Sequence, residues 1–348
     1  MTPLITSQGT VNKALVDFLA QKRGAAEHIH PSYKRLLDEV ERVVFAGGKR
    51  LRPHLIFLGY GGYNDTIAKV AAAHEMLHIA TLMHDDIIDR DDIRHNAPTI
   101  HHAYEIAHYE GLELDPADRR HFSMSAAILA GDLLISSAYA LLGQAGLNEE
   151  DHRKAVHFIS TGVFEVIGGE LLDTEAPFLT GDFDPMTVYR YKTAGYSFIA
   201  PLLTGAALSH RYSENEMEDL REYATSLGIA FQIQDDTLGV FGESEATGKS
   251  TTGDLREGKQ TLLIAEFKRR ANEEQLSFFK QTFGQSNATD EDLLRLKEML
   301  KESGALQAAL ATEKSHTNKA AAAAQRINNE ELQQNLLGLI DKLNGRNA

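Results

Sequence analysis

Apolar residues recur at three- and four-residue spacing along almost the whole chain, and apolar–polar alternation never extends beyond a few positions. The first pattern is typical of α-helices, whereas the second would indicate β-strands. The clearest predicted helices are Tyr33–Phe45, Thr66–Asp89, Arg119–Leu142, Glu149–Asp173, Asp184–Leu208, Glu214–Val240 and Asp290–Glu302. The alanine-rich C-terminal run is also predicted to be helical, as far as Gly345.

Several of these helices are apolar on most of their faces, so other helices must bury them. Glycines mark the breaks, as at Gly47–Gly48, and no long Pro/Ser-rich linker or fixed repeat divides the chain. The sequence therefore predicts an all-α fold with a single large helical domain over residues 1–348. Length alone would favour roughly two domains.

Composition and charge exclude several kinds of site. The 35 basic and 50 acidic residues give a net charge of −15, which argues against nucleic acid or an anionic membrane surface as the main partner. Without cysteine there is no disulfide, thiolate metal site or cysteine nucleophile. The N-terminus has no uninterrupted apolar core, and the apolar stretches are shorter than the roughly 20 residues that span a bilayer. We therefore expect a cytoplasmic protein with no signal peptide and no transmembrane segment.

An aspartate cluster, HDDIID, ends the predicted helix over residues 66–89. Asp85 and Asp89 lie four residues apart, so at about 100° per residue they share one helix face, one turn apart. Two carboxylates so placed repel each other unless a cation lies between them. Magnesium suits the pair, because it prefers oxygen ligands and keeps water and phosphate oxygens in its shell. For one such motif alone, a solvated acidic helix end is the more common interpretation.

A second aspartate pair, Asp235–Asp236, also follows a long apolar helix, which makes two solvated helix ends a poor explanation. Basic residues stand near both pairs and after the glycine pair: Lys49, Arg50, Arg52, Arg94, Lys192, Lys249 and Lys259. Each basic residue alone is most simply a surface charge. Because arginine and lysine are the side chains that bind phosphate oxygens, the whole set predicts a diphosphate ligand with magnesium.

Seven motifs in order make the chain recognisable: GGKRLRP (47–53), HDDIID (84–89), GDLL (131–134), GELLD (169–173), YKTAGYSF (191–198), FQIQDD (231–236) and TGKSTTGDLREGKQT (247–261). With them the chain resembles the trans-isoprenyl diphosphate synthases, or polyprenyl synthetases, from about residue 33 to 270. The resemblance implies a helical bundle of the isoprenoid synthase type, with central helices around a deep apolar cavity. It also implies a magnesium-dependent prenyltransferase that condenses isopentenyl diphosphate with an allylic diphosphate. The condensation is head to tail and gives a trans double bond.

The resemblance also assigns the site residues. Asp85 and Asp89 would bind two magnesium ions and Asp235 a third, with Asp86 and Asp236 beside them in the metal site. The residues expected to hold the allylic diphosphate are Arg94, Lys192, Thr193, Gln232, Lys249 and Lys259. Those expected to hold isopentenyl diphosphate are Lys49, Arg52, His78 and His95. The catalytic set would be Asp85, Asp89, Lys192 and Asp235.

Two positions depart from the family's pattern. His95 stands where the family commonly has the second of two arginines, which affects the binding of isopentenyl diphosphate. Gly239 stands where the second cluster often has a third aspartate.

Product length is implied by the residues one turn before the first aspartate cluster. Ala80 and Thr81 are small, whereas relatives that stop at fifteen carbons often carry bulky aromatics there. We therefore expect a product of twenty carbons or more, with geranylgeranyl diphosphate a leading candidate. Residues deeper along the helix, such as Leu77, would decide where elongation stops.

Two other functions stay open. A terpene cyclase also uses an aspartate-rich helix with magnesium, but it binds one diphosphate and has no need of Lys49, Arg52 and His78. A non-catalytic subunit of a heterodimeric synthase would have lost the aspartate clusters, and both are intact here. A helical protein with acidic surface loops would leave the ordered motifs unexplained. The family leads us to expect a homodimer.

Overall fold

The computed structural model describes residues 4–109, 111–179, 183–242 and 252–345, and most of these residues are helical. The helices are α1 (Leu4–Ile29), α2 (Pro31–Phe45), α3 (Leu51–Tyr60), α4 (Asp65–Ile88), α5 (Ile100–Ile106), α6 (Pro116–Gly143), α7 (Glu149–Glu175), α8 (Pro185–Val188), a π-helix (Tyr189–Ile199), α9 (Ala200–Ser209), α10 (Glu214–Phe241), α11 (Gly253–Glu257), α12 (Leu262–Arg270), α13 (Glu273–Thr282), α14 (Asp290–Glu302), α15 (Ala305–Gln325) and α16 (Glu330–Asn344). A 3₁₀ turn (Ala176–Phe178) follows α7, and the strands β1 (Ile93–Arg94) and β2 (Ala97–Pro98) form an antiparallel pair.

The predicted all-α class is confirmed, and most predicted helices end within a few residues of the observed positions. The predicted start at Asp184 is also confirmed, because its Oδ1 accepts a hydrogen bond from the Met186 amide at 3.0 Å. One continuous α-helix over 184–208 was wrong, since the π-helix occupies its middle. The C-terminal run is two helices, and Asn329 caps the second by accepting from the Leu332 amide at 2.9 Å.

The contacts within the chain divide it into two compact units. Unit 1 comprises Met1–Phe158 and Thr204–His210, and unit 2 comprises Ile159–Leu203 and Arg211–Ala348. The single domain expected from the sequence stays a prediction.

Unit 1 is organised around α4, which packs against α1, α3 and α6. Small residues line the buried part of α4, among them Ala71, Ala72 and Ala73, and they let neighbouring helices approach closely. One close approach to α6 is at Gly131, where a Cβ atom would lie 2.1 Å from Nε2 of His84. The His84 ring, next to the aspartates on α4, therefore packs directly against the backbone of α6 at this glycine.

Unit 2 is organised around α10, which packs against α15 and the π-helix. A Cβ atom at Gly228 would lie 2.7 Å from the Ala194 Cα atom, so the backbones of α10 and the π-helix nearly touch there. The rings of Phe198 and Phe231 pack beside this approach, with centroids 5.4 Å apart. This packing brings the YKTAGYSF motif next to the FQIQDD motif.

Two helices within the described ranges, Pro116–Gly143 and Glu149–Phe178, are long and apolar enough to cross a membrane by length and composition alone. The expectation that every apolar stretch is too short is therefore not confirmed. Half of the apolar window of the first helix is buried inside the protein, as in the core helices of many proteins without membrane spans.

Candidate active site

The first aspartate cluster lies at the C-terminal end of α4. The Asp89 amide donates to the Asp85 carbonyl at 2.7 Å, which keeps these two residues one helical turn apart. Both side chains are half-buried, whereas Asp86 is only 3 % exposed. No group of three or more His, Asp or Glu residues within the described ranges is arranged to hold a metal ion. A pair of carboxylates is nevertheless a suitable donor set for magnesium, which takes its remaining ligands from water and phosphate.

Asp86 is bound to an arginine rather than left open to solvent. Its Oδ1 atom accepts from Nε of Arg94 at 2.5 Å, and Asp91 lies 3.5 Å from the same guanidinium. Burial acts to lower the pKa of Arg94, but the two carboxylates outweigh it and raise that pKa. Asp86, expected beside the metal, and Arg94, expected on the allylic diphosphate, are thus partners in one ion pair.

Arg94 belongs to the β1–β2 hairpin, whose two-residue turn is His95–Asn96. Both turn residues have positive φ, 51° and 59°, as a type I′ turn requires. The His95 ring packs on the glycine pair, because a Cβ atom at Gly47 would lie 3.4 Å from its Cγ atom. That distance is an ordinary contact, so it is the φ of 157° at Gly47 that favours glycine there.

A cavity in unit 1 brings several predicted residues together. It encloses about 500 Å³, counting the part that opens to solvent. Its polar lining includes Arg50, Glu75, His78, Asp86, Arg94 and His95, and its apolar lining includes Val44, Ile79 and Leu82. Arg94, expected on the allylic diphosphate, therefore lies beside His78 and His95, expected on isopentenyl diphosphate. Lys49 and Arg52 do not line it; Lys49 is exposed and Arg52 is half-buried.

The cavity is electropositive enough to affect its histidines. Burial lowers the pKa of His78 well below its usual value, and the charges of Arg52, Arg94 and Arg50 lower it further. Burial and the same two cavity arginines, Arg94 and Arg50, also lower the pKa of His95. Both shifts favour the neutral form of the imidazole.

In unit 2, Lys192 is held by two carboxylates of α7. Its Nζ atom lies 2.9 Å from Glu170 Oε2 and 2.5 Å from Asp173 Oδ2. These contacts overcome the effect of burial and raise the pKa of Lys192, so it remains a cation. Close packing makes them possible, because a Cβ atom at Gly169 would lie 2.3 Å from the Lys192 amide nitrogen.

The second aspartate cluster is joined to the π-helix by a chain of hydrogen bonds. Thr193 Oγ1 donates to Gln232 Oε1 at 2.6 Å, and Gln232 Nε2 donates to Asp236 Oδ1 at 2.8 Å. The Tyr189 hydroxyl donates to the other oxygen of Asp236 and accepts from the Leu262 amide at 2.8 Å. Burial raises the pKa of Asp236 to about 7, although these hydrogen bonds favour its ionised form. Asp235 is exposed.

The glycine that departs from the family pattern has a carboxylate against it. A Cβ atom at Gly239 would lie 2.4 Å from Oδ2 of Asp254, so that carboxylate fits there because residue 239 lacks a side chain. Asp254 also lies 3.9 Å from Lys259, and Glu257 lies 3.3 Å from the same ammonium group. Lys249 lies outside the described residues.

The residues predicted to set product length lie on the buried part of α4. Leu77 and Ala80 are buried, and Thr81 is half-buried with its hydroxyl donating to the His78 carbonyl at 2.8 Å. They lie about one to two turns before Asp85 on the same helix, and their role in product length stays a prediction.

Several contacting residues were not assigned a role from the sequence: Glu75, Glu170, Asp173, Tyr189 and Asp254. Glu170 and Asp173 belong to the GELLD motif, and Asp254 belongs to TGKSTTGDLREGKQT, so these two motifs were an available signal. Nothing in the spacing of Glu75 or Tyr189 distinguished them from other helix residues.

The sequence is similar to a known protein family and to known relatives. The sequence model described as polyprenyl synthetase matches residues 34–300. The chain belongs to the polyprenyl synthetase family. A short chain isoprenyl diphosphate synthase of Methanocaldococcus jannaschii is 32 % identical over 272 residues, covering 77 % of each chain. A geranylgeranyl diphosphate synthase of Sulfolobus acidocaldarius is 32 % identical over 285 residues, covering 79 % of each chain.

The fold of this polyprenyl synthetase is also similar to solved structures. One is a geranylgeranyl pyrophosphate synthase of Corynebacterium glutamicum, complexed with isoprenyl diphosphate and magnesium. Its TM-score is 0.91 and its sequence identity is 30 %, with 98 % of each chain covered. The predicted family, fold class and enzyme class, a prenyltransferase, are therefore confirmed. The roles of individual residues stay predictions.

The position of His95 in this polyprenyl synthetase predicts a pH-dependent affinity. Burial and the charges of Arg94 and Arg50 lower its pKa, whereas a bound diphosphate would favour the charged imidazole and raise it. We therefore expect the KM for isopentenyl diphosphate to be lowest at acid pH and to rise as pH passes through the bound-state pKa. The measurement is KM from about pH 6 to 8.5 at saturating allylic substrate and magnesium, around the reference histidine pKa.

Two variants separate the contribution of His95 from that of His78, because a bound diphosphate would favour the charged form of either imidazole. His95→Arg keeps a cation at every pH, so it should flatten the curve and lower KM at the alkaline end. His95→Asn tolerates the left-handed backbone but carries no charge, so KM should be high throughout. Wild-type curves in both variants would exclude His95 as a diphosphate ligand.

Proposed function

We propose that this polyprenyl synthetase transfers an allylic prenyl group to isopentenyl diphosphate, with magnesium, and releases a product of twenty carbons or more. The observation that carries the proposal is the cavity of unit 1, which brings His78 of α4 together with Arg94 and His95 of the β1–β2 hairpin. The aspartates one turn apart at the end of the same helix add a suitable metal-binding pair. The activities named for the relatives support the same reaction.

The metal roles follow the chemistry of the donor sets. Asp85 and Asp89 would hold two magnesium ions, and Asp235, which is exposed, a third. Magnesium, when bound, supplies positive charge that stabilises the departing diphosphate. Asp86 is buried against Arg94, which leaves it less suited to bind the metal directly.

The protein's own groups would act mainly by charge and by shielding. Lys192, kept cationic by Glu170 and Asp173, is suited to neutralise the allylic diphosphate as the carbon–oxygen bond breaks. The double bond of isopentenyl diphosphate then attacks the allylic carbocation, and the adduct loses a proton to the released diphosphate. Apolar side chains must keep water away from the cation, since water would capture it.

The two alternative functions are less well supported. A cyclase would have no use for a cavity that gathers cations away from Asp85 and Asp89, and neither of those aspartates lines it. A non-catalytic subunit would not be expected to keep both aspartate clusters together with the ion pairs of Lys192 and Arg94.

The metal assignment predicts that Asp85→Ala and Asp235→Ala each reduce turnover by about a hundredfold or more, the scale of losing one electrostatic contact to the transition state. Both residues are at least partly exposed, so we expect the helical circular dichroism spectrum and the melting temperature to change little. Asp341→Ala, an exposed helix aspartate of unit 2, is the matched control. Near-full activity of either variant at saturating substrate would refute that residue's metal role.

The proposed product length predicts that a bulky residue near the metal end of α4 shortens the product. Ala80→Phe should move the product distribution to shorter chains, measured by separating labelled products by length. Because Ala80 is fully buried, the larger ring also strains its packing. Thr81→Phe, at a half-buried position of the same helix, tests the same effect on product length with less strain. An unchanged product distribution in both variants, each folded, would exclude Ala80 and Thr81 as residues that limit product length.

We also propose that the protein is a homodimer that associates through α7. Phe164, Ile167 and Leu171 share one face of that helix and are 81 %, 63 % and 66 % exposed. We expect Phe164→Asp to halve the molar mass measured by light scattering, whereas Leu294→Asp, at an exposed leucine of α14, should leave it unchanged. A wild-type monomer would refute the proposal. The cytoplasmic location stays a prediction.

A further inference from the structure

One face of α4 supplies much of the cavity wall in unit 1. Glu75, His78, Ile79, Leu82 and Asp86 all line the cavity, and their three- and four-residue spacing places them on one helix face. A buried carboxylate stands at each end of this row. Asp86 holds Arg94 at one end, and Glu75 holds Arg50 at the other.

The Glu75–Arg50 pair is the more deeply buried of the two. Glu75 Oε1 accepts from Arg50 Nη1 at 2.8 Å, and the two side chains are 4 % and 5 % exposed. The other terminal nitrogen of Arg50 donates to the Val44 carbonyl at 2.6 Å. One guanidinium therefore joins α4 to the C-terminal end of α2.

Arg50 is also the residue at which the chain turns into α3. It has left-handed backbone angles, φ 51° and ψ 44°, which disfavour any residue except glycine by about 1 kcal/mol or more. Gly47 and Gly48, just before it, have φ of 157° and 104°. The segment that carries Lys49 and Arg52 is thus conformationally permissive on one side and fixed at Arg50 by side-chain bonds.

Stability alone does not account for this pair. Burying two charges removes their hydration, which offsets much of their attraction, so buried ion pairs contribute little net stability. The second carboxylate oxygen of Glu75 is buried and has no hydrogen-bond partner among the described residues, which adds a further cost. What the pair does provide is a defined position for Arg50 and for the backbone on either side of it.

We propose that Glu75 is a positioning residue for isopentenyl diphosphate: through Arg50 it holds residues 47–52 and so sets where Lys49 and Arg52 lie when they bind the diphosphate. The inference rests on the proposed function. It assigns a role to a buried carboxylate whose observed partner is Arg50.

The test compares Glu75→Gln, Glu75→Asp and Arg50→Lys with wild type. We expect Glu75→Gln to raise the KM for isopentenyl diphosphate about tenfold or more, the scale of weakening a buried charged contact at a binding site. The KM for the allylic substrate and kcat should stay within about twofold to threefold, because groups on other elements bind that substrate. Glu75→Asp retains the charge and should recover part of the affinity, and Arg50→Lys should resemble Glu75→Gln.

Glu266→Gln is the matched control. Glu266 is a buried glutamate of α12 that pairs with Arg269 and Arg270, and it does not line the cavity. Its variant should lower the melting temperature without moving either KM.

Several outcomes would overturn the inference. One is a folded Glu75→Gln protein with a wild-type KM for isopentenyl diphosphate. Another is equal increases in both KM values, or a loss confined to melting temperature in Glu75→Gln, Glu75→Asp and Arg50→Lys alike. A wild-type protein that transfers no prenyl group would instead refute the proposed function, so the two failures are distinguishable.

Discussion

Buried cations need carboxylate partners, and much of the candidate site is built to supply them. Arg50 is held by Glu75, Arg94 by Asp86, and Lys192 by Glu170 and Asp173. An unpaired charge inside a helical core would lose its hydration or its proton. The pairing offsets the lost hydration of each cation and fixes where it lies before any ligand arrives.

This arrangement has consequences for binding a diphosphate. A flexible lysine or arginine must be immobilised when the ligand binds, and that loss of conformational entropy reduces affinity. Side chains already held by carboxylates lose less conformational entropy when the ligand binds. These cations also need to move little as negative charge develops on the leaving group. The helices that carry the carboxylates, α4 in unit 1 and α7 in unit 2, are therefore as important to the account as the cations.

The sequence predicted the helical class, most helix ends and the aspartate clusters, because these depend on local spacing. Asp184 and Pro185 marked a helix start, and Asp85 and Asp89 shared a face by arithmetic alone. It did not predict the π-helix, since its apolar residues also fit a regular α-helix. It did not predict the partners either, because Glu75–Arg50 and Lys192–Asp173 depend on how separate helices pack. The left-handed turn at His95 depends in turn on the β1–β2 pairing.

The central claim is that these charges serve prenyl transfer, and the stoichiometry of the wild-type reaction tests it most directly. The protein is incubated with labelled isopentenyl diphosphate and an allylic diphosphate, with magnesium or with a chelator. Our account predicts one inorganic diphosphate released for each labelled isopentenyl unit incorporated, and neither when the metal is chelated. Diphosphate released from the allylic substrate without incorporation of label would contradict it.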